Sequence, residues 1–212
     1  MKNHQRRQPN NELELRSYNA SIEIRKNESG EPTHFVGDAI VYNQRSEDFG
    51  GFVEVIKPEA LKDTRMGDVV GLFNHDSSII LGRSTAGTLK LIRNSDRLSY
   101  EIPYDAEDPD HLRVMRKIEK GEVSGSSFQF RFAREGYRYV EADDEVIERQ
   151  VTNIRELFDV GPVTFPAYQQ TSASKRSFDE FQSEELGSDS EQMSINSNKR
   201  KRFIQLSKLS KS

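Results

Sequence analysis

Two residue types that together can perform nucleophilic catalysis stand beside short apolar stretches of this chain. Ser127 lies near the start of "SGSSFQFRF", and His75 follows the apolar run "GDVVGLF". An imidazole, whose ordinary pKa is about 6.5, can remove the proton of a serine hydroxyl near neutral pH and so activate the oxygen for attack on a carbonyl carbon. This pairing predicts a nucleophile and a general base. The competing interpretation is that His75 is a surface residue at a strand end.

The stretch that carries Ser127 is predicted to be a strand with one aromatic face. Side chains alternate along a strand, so its three phenylalanines share one face with Ser126. Ser127 lies on the opposite face with Gln129. We therefore expect the aromatic face to anchor the strand in a core, while Ser127 looks into solvent or a cleft.

Several other chemistries have no support in the sequence. The chain contains no cysteine, so it has no thiolate nucleophile, no disulfide and no cysteine-based metal site. Its four histidines are scattered, and neither a phosphate-binding glycine loop nor an HExxH motif occurs. We expect no cofactor and no metal ion. No apolar run approaches the roughly 18 residues of a membrane span, and no signal peptide is evident, so an intracellular protein without a membrane partner is expected.

The elements that must position these residues are mostly strands. About nine short apolar stretches, several of them alternating, are separated by turn formers such as "NESGEP" and "RNSD". One helix is clearly marked, because Asp108 can cap it, Pro109 suits its first turn and Gly121 follows its end. A mainly β fold with helices, of the α+β class and barrel-like, is therefore predicted.

Composition divides the chain into three parts. Residues 1–12 are predicted to be a flexible arm, residues 13–170 a folded domain, and residues 171–212 a disordered tail that is acidic and then basic. The net charge of −4 is small, and the basic run "NKRKR" has no interleaved aromatic residues. We therefore expect no nucleic acid partner.

Five short segments in the same order resemble the prohead protease family of tailed bacteriophages, the serine proteases that mature procapsids. The segments are "LFNHD", "LGR" with "GTLKL", "IEKGEVSG", "SFQF" and "LFDVGPVTFPAY", and the resemblance covers about residues 17–170. The family pattern at the nucleophile is a Gly, a residue that is often Met, the Ser and then Phe-Gly-Phe. This pattern selects Ser127 over Ser126 and Ser124. Gln129 stands where the family has glycine, and its side chain is expected either to narrow the cleft or to alter how closely the substrate backbone approaches.

The resemblance also implies a fold and a third site residue. The implied fold is a β-barrel with helices around it, similar to the herpesvirus maturation protease, in which a third residue orients the pair of Ser127 and His75. Asp159 is the first choice because it lies in a β segment that the resemblance covers. Glu156, which alternates to the other strand face, is second. His111 is third, and we expect it to face solvent from the first turn of the predicted helix.

On this resemblance the expected function is a serine endopeptidase that cleaves capsid and scaffolding proteins, and also itself, during prohead maturation. Its expected partners are the major capsid protein with its scaffolding segment and other copies of the chain. The expected location is the host cytoplasm, inside the assembling prohead. The alternative is a catalytically inactive β-barrel module that helps to scaffold the prohead. The presence of both Ser127 and His75 within matching segments favours the enzyme.

Overall fold

The fold is mainly β, as predicted. A computed structural model of the chain describes residues 13–18, 22–166, 178–179 and 181–182. The strands are β1 (Glu14–Tyr18), β2 (Ile22–Lys26), β3 (Pro32–Val41), β4 (Val53–Ile56), β5 (Val70–Leu72), β6 (Ile80–Arg83), β7 (Lys90–Arg93), β8 (Arg97–Pro103), β9 (Gly125–Phe132), β10 (Tyr137–Glu141), β11 (Ile147–Val151) and β12 (Ile154–Val163). Helix α1 spans Pro109–Glu119, and short 3-10 helices span Pro58–Leu61 and Ser84–Ala86. The predicted N-terminal arm lies outside the described residues.

The described strands form three sheets. Their orders are β1-β9-β12-β5-β6, β10-β11-β4 and β2-β3-β8-β7. The predicted β-barrel is therefore not confirmed, because β1 and β6 are the two edge strands of the first sheet and each has only one paired neighbour within that sheet. Two of the pairings, β12 with β5 and β11 with β4, are parallel. Such pairs join distant parts of the chain, which a reading of local patterns does not reveal.

The aromatic face of β9 anchors this strand in the main core, as its alternation predicts. Phe128, Phe130 and Phe132 are all buried, and adjacent rings lie 5.1 and 4.9 Å apart between centroids. Aromatic packing of this kind buries large areas and is stabilising beyond the area alone. The opposite face of β9, which carries Ser127 and Gln129, is thereby directed away from the phenylalanines.

Helix α1 begins and ends where the sequence predicts. The Asp108 carboxylate accepts a hydrogen bond from the backbone N–H of Asp110 at 2.8 Å, which satisfies one of the unpaired donors of the first turn. Gly121, just beyond the helix, has a φ of 72°, a left-handed conformation that glycine adopts without steric cost. The helix packs Val114 and Ile118 into the core.

A short helical segment of the predicted C-terminal tail is packed against the domain. Phe178 is buried in a small aromatic cluster, with ring centroids 4.8 Å from Phe52 and 5.6 Å from Tyr139. This contact differs from the disorder predicted for residues 171–212, because two phenylalanines in "SFDEF" supply apolar area that the polar composition of the tail obscures. The rest of the predicted tail lies outside the described residues. No helix in the described ranges has the length and apolar character to cross a membrane.

Candidate active site

Two side chains from adjacent strands of the first sheet and one from a neighbouring turn form a continuous chain of hydrogen bonds. Ser127 lies on β9, Asp159 lies on the neighbouring β12, and His75 lies in the turn that follows β5. The Nε2 atom of His75 is 2.5 Å from Ser127 Oγ, and its Nδ1 atom is 2.6 Å from Asp159 Oδ1. Residues that are 52 and 84 positions from His75 in the sequence are thus brought to the two nitrogens of one ring.

The turn that carries His75 is held by its neighbour Asn74. Both residues have left-handed backbone conformations, with φ of 54° for Asn74 and 58° for His75, which are unfavourable for most side chains. Asn74 offsets this cost by bonding to the end of β12. Its Oδ1 accepts from the Thr164 N–H at 2.8 Å, and its backbone N–H donates to the Pro162 carbonyl at 3.0 Å. The imidazole is therefore fixed relative to β12, the strand that carries Asp159.

A glycine allows β12 and β5 to approach closely beside the site. Gly161 is the register partner of Ser127 across the β9–β12 pair. A side-chain carbon at Gly161 would overlap the carbonyl oxygen of Leu72 at the end of β5. Only a residue without a Cβ lets the turn after β5 lie over this point of the sheet.

The hydrogen bond between His75 and Asp159 is shielded from water. The Asp159 side chain is 6 % exposed and the His75 side chain 17 %. A carboxylate can only accept, so the hydrogen between these groups is on Nδ1, and Nε2 is left facing Ser127. Interactions with charged groups are stronger in a region of low dielectric constant. The aspartate can therefore fix the ring orientation and stabilise a positive charge that develops on the imidazole.

The two alternative orienting residues lie elsewhere. Glu156 forms an ion pair with Arg65 at 2.9 Å. His111 accepts a hydrogen bond on Nδ1 from the Asp105 backbone N–H at 3.1 Å, and its ring meets the edge of Phe35 at a centroid distance of 5.3 Å. The expectation that His111 faces solvent is wrong, because the first turn of α1 packs onto the core and buries this side chain.

Ser127 does not look into solvent or an open cleft, contrary to the sequence-based expectation. Its exposed fraction is 0 %, because strand β1 lies along β9 and covers it. The Ser127 hydroxyl donates to the Arg16 carbonyl oxygen at 2.7 Å, and the Ser17 hydroxyl donates to Ser127 Oγ at 3.0 Å. Sequence reasoning missed these contacts because the partners are 110 and 111 positions apart and no local pattern connects them. Among the described residues, no group of three His, Asp or Glu side chains could hold a metal ion.

A serine, a histidine and a buried aspartate joined in this order are the arrangement of the serine hydrolases. The chain belongs to the caudovirus prohead serine protease family, whose model matches residues 20–184. Among solved structures, the chain is similar to the bacteriophage T4 capsid assembly protease gp21, with 11 % sequence identity and a TM-score of 0.40. That alignment covers 71 % of this chain and 96 % of the T4 chain. No curated protein matches the sequence.

Proposed function

We propose that this chain is a serine endopeptidase of phage prohead maturation, with Ser127 as nucleophile, His75 as general base and Asp159 as orienting residue. The observation that carries the proposal is the unbroken chain of hydrogen bonds Ser127–His75–Asp159 in a member of a serine protease family. Hydrogen-bond reach between nucleophile and base, and between base and orienting group, is the geometric requirement for this chemistry.

The reaction proceeds in two halves. In the first, Ser127 Oγ forms a bond to the carbonyl carbon of the scissile peptide while His75 Nε2 takes the hydroxyl proton. The carbon–nitrogen bond then breaks as His75 returns that proton to the leaving amine, which gives an acyl-enzyme. In the second half, water attacks the ester carbon while His75 accepts a proton from the water, and the bond between that carbon and Ser127 Oγ then breaks as His75 returns the proton to Ser127 Oγ. Asp159 stabilises the imidazolium that forms in each half.

The proposed substrates are the capsid subunit with its scaffolding segment and other copies of the protease, inside the assembling prohead in the host cytoplasm. Membership of the prohead protease family supports this assignment. A protease cleaves extended backbone more readily than folded strands, so a scaffolding segment in an extended conformation is a suitable substrate.

The experiment that tests this function compares two serine variants in cells that also produce the capsid subunit. Ser127→Ala should stop cleavage of the subunit, with a loss of about 1,000-fold or more in rate, and should leave the protein folded. Ser126→Ala is the matched control, because the Ser126 hydroxyl bonds to Tyr100 on the other face of β9 at 3.3 Å. Electrophoresis of the subunit measures cleavage, and circular dichroism measures folding.

Two results would contradict the proposal. Full cleavage by Ser127→Ala together with an inactive Ser126→Ala would transfer the nucleophile to the neighbouring serine. Absence of cleavage by the wild type as well as by both variants would favour the inactive scaffolding module.

A further inference from the structure

The strand that covers Ser127 comes from the segment that precedes the family match. Strand β1 pairs antiparallel with β9, from Glu14 opposite Phe130 to Tyr18 opposite Ser126. The family model matches from residue 20, so β1 lies just outside the matched region. Without β1, the strand that carries Ser127 would present an edge of unpaired backbone N–H and C=O groups. Such an edge is the kind of surface on which extended peptides bind as an added strand.

Strand β1 also holds Ser127 in an unreactive arrangement. A serine hydroxyl has one hydrogen, and the Arg16 carbonyl at 2.7 Å can only accept it. The Nδ1 hydrogen of His75 is donated to Asp159, so Nε2 of the neutral ring is also an acceptor. Attack on a peptide requires that the single serine hydrogen points to Nε2. The Arg16 carbonyl on β1 therefore competes with His75 for the hydrogen that the base must take.

The charges of β1 allow it to leave without stranding a buried charge. Arg16 pairs with Glu14 of its own strand at 2.9 Å and with Glu54 of β4 at 2.6 Å. Glu54 is also paired with Arg149 of β11 at 2.6 Å. If β1 departs, Arg16 and Glu14 leave together, and Glu54 keeps Arg149. A buried charge that is left without any partner is strongly destabilising. Departure of β1 does not leave Glu54 in that state, because its pair with Arg149 remains.

We propose that residues 14–18 form an inhibitory strand in the place of a substrate, and that substrates bind as extended polypeptide segments antiparallel to β9 after β1 is displaced. This inference rests on the proposed function, since it assumes that Ser127 is the nucleophile. It assigns the edge of residues 126–130 as the substrate-binding strand. The substrate presents a backbone carbonyl at the position that Arg16 occupies.

A reversible disulfide between β1 and β9 tests this inference in the full-length chain. Leu15 and Gln129 are register partners, and the chain has no cysteine, so Leu15→Cys with Gln129→Cys introduces one defined disulfide. The probe is diisopropyl fluorophosphate. Ser127 Oγ forms a bond to phosphorus, the phosphorus–fluorine bond breaks, fluoride leaves and His75 takes the proton. Intact mass spectrometry measures the rate of labelling.

The disulfide form of this double variant should be labelled at least about 100-fold more slowly than its reduced form, because the reagent reaches Ser127 only after local opening of β1. Glu23→Cys with Val36→Cys locks β2 to β3 and is the matched control, which should label at one rate in both redox states. Leu15→Pro weakens the pairing of β1, since proline removes a backbone donor, and should label faster than the wild type.

The outcomes separate the inference from the function on which it rests. Equal labelling of the oxidised and reduced forms of Leu15→Cys with Gln129→Cys would overturn the inhibitory role of β1, as would failure of the disulfide to form. Two results would show that Ser127 is not the nucleophile. One is that neither the wild type nor Leu15→Pro is labelled, and the other is that Ser127→Ala is labelled as fast as those two proteins. That pattern overturns the proposed function and, with it, this inference.

Discussion

At the scale of single residues, the proposed role of Asp159 depends on the face of the sheet from which its side chain projects. Register partners on neighbouring strands project to the same side of a sheet, and Asp159 lies opposite Gln129 while Gly161 lies opposite Ser127. Asp159 and Ser127 therefore share the face over which the His75 ring lies. Glu156 instead meets Arg65 in an exposed ion pair.

Asp159→Asn should lower the rate of peptide cleavage by about 10³- to 10⁴-fold while the protein stays folded. The amide supplies no negative charge, and it can hold the imidazole in the tautomer that cannot accept the serine proton. Single-turnover cleavage of the capsid subunit measures the effect. Glu156→Gln is the control and should cleave at nearly the wild-type rate. A nearly active Asp159→Asn beside an inactive Glu156→Gln would reverse the ranking of the two acids.

The sequence predicted three side chains that the structure brings together, Ser127, His75 and Asp159, but it did not predict the environment of Ser127. Ser127 and His75 stand in segments that resemble a family, and the alternation of β9 predicts which serine opposes the phenylalanines. The burial of Ser127 depends on β1, which pairs with β9 across 110 positions. The hydrogen bonds of Asn74 to the end of β12 were missed for the same reason, although asparagine is among the residues that tolerate its positive φ.

At the scale of secondary-structure elements, a buried carboxylate joins three strands. Glu54 of β4 lies between Arg16 of β1 and Arg149 of β11. Burial acts to raise the pKa of Glu54, but the two guanidinium groups outweigh it and hold this pKa below the usual range. A folded-state pKa below the unfolded value stabilises the protein above the unfolded pKa, and this contribution is lost as the pH falls through the folded value.

Glu54→Gln should lower the free energy of unfolding by about 3–5 kcal/mol at neutral pH, because it leaves two buried guanidinium groups without their shared carboxylate. Urea denaturation at a series of pH values measures the effect. The difference from the wild type should shrink as the pH falls below the ordinary glutamate value of 4.5, where the wild-type carboxylate begins to lose its charge in the unfolded state. Asp96→Asn, at an exposed pair with Arg97, should change stability little. A constant difference across this pH range would argue against the ionised cluster.

The type of most elements followed from the sequence, whereas their partners did not. Helix α1 has a cap, a first-turn proline and a terminal glycine, all of which are local signals. Short alternating stretches indicate strands, but they do not say which strands pair. The division into three sheets depends on parallel contacts between distant segments, so the expected barrel was not found.

At the scale of the whole molecule, the C-terminal segment bears on self-processing. We expect active protein to remove part of residues 171–212, since their composition predicts disorder and a protease cuts unprotected backbone. Because Phe178 is buried against Phe52, the cut should fall on the C-terminal side of this contact. Intact mass spectrometry of the wild type and Ser127→Ala, purified in parallel, measures trimming. A wild type that retains Ser212 after long incubation, or a Ser127→Ala protein cut at the same bond, would exclude self-processing of this segment.

The position of β9 between β1 and β12 has a consequence for the newly made chain. The proposed catalytic constellation cannot form until residue 163 has left the ribosome and β12 has paired with both β9 and β5. Contacts between segments so far apart in sequence form slowly, because a long loop must close before any of them is gained. A ribosome adds about 5–20 residues per second, so an unfinished chain spends several seconds with its serine and histidine apart. During synthesis, neighbouring proteins therefore meet a polypeptide in which the proposed catalytic side chains are not yet assembled.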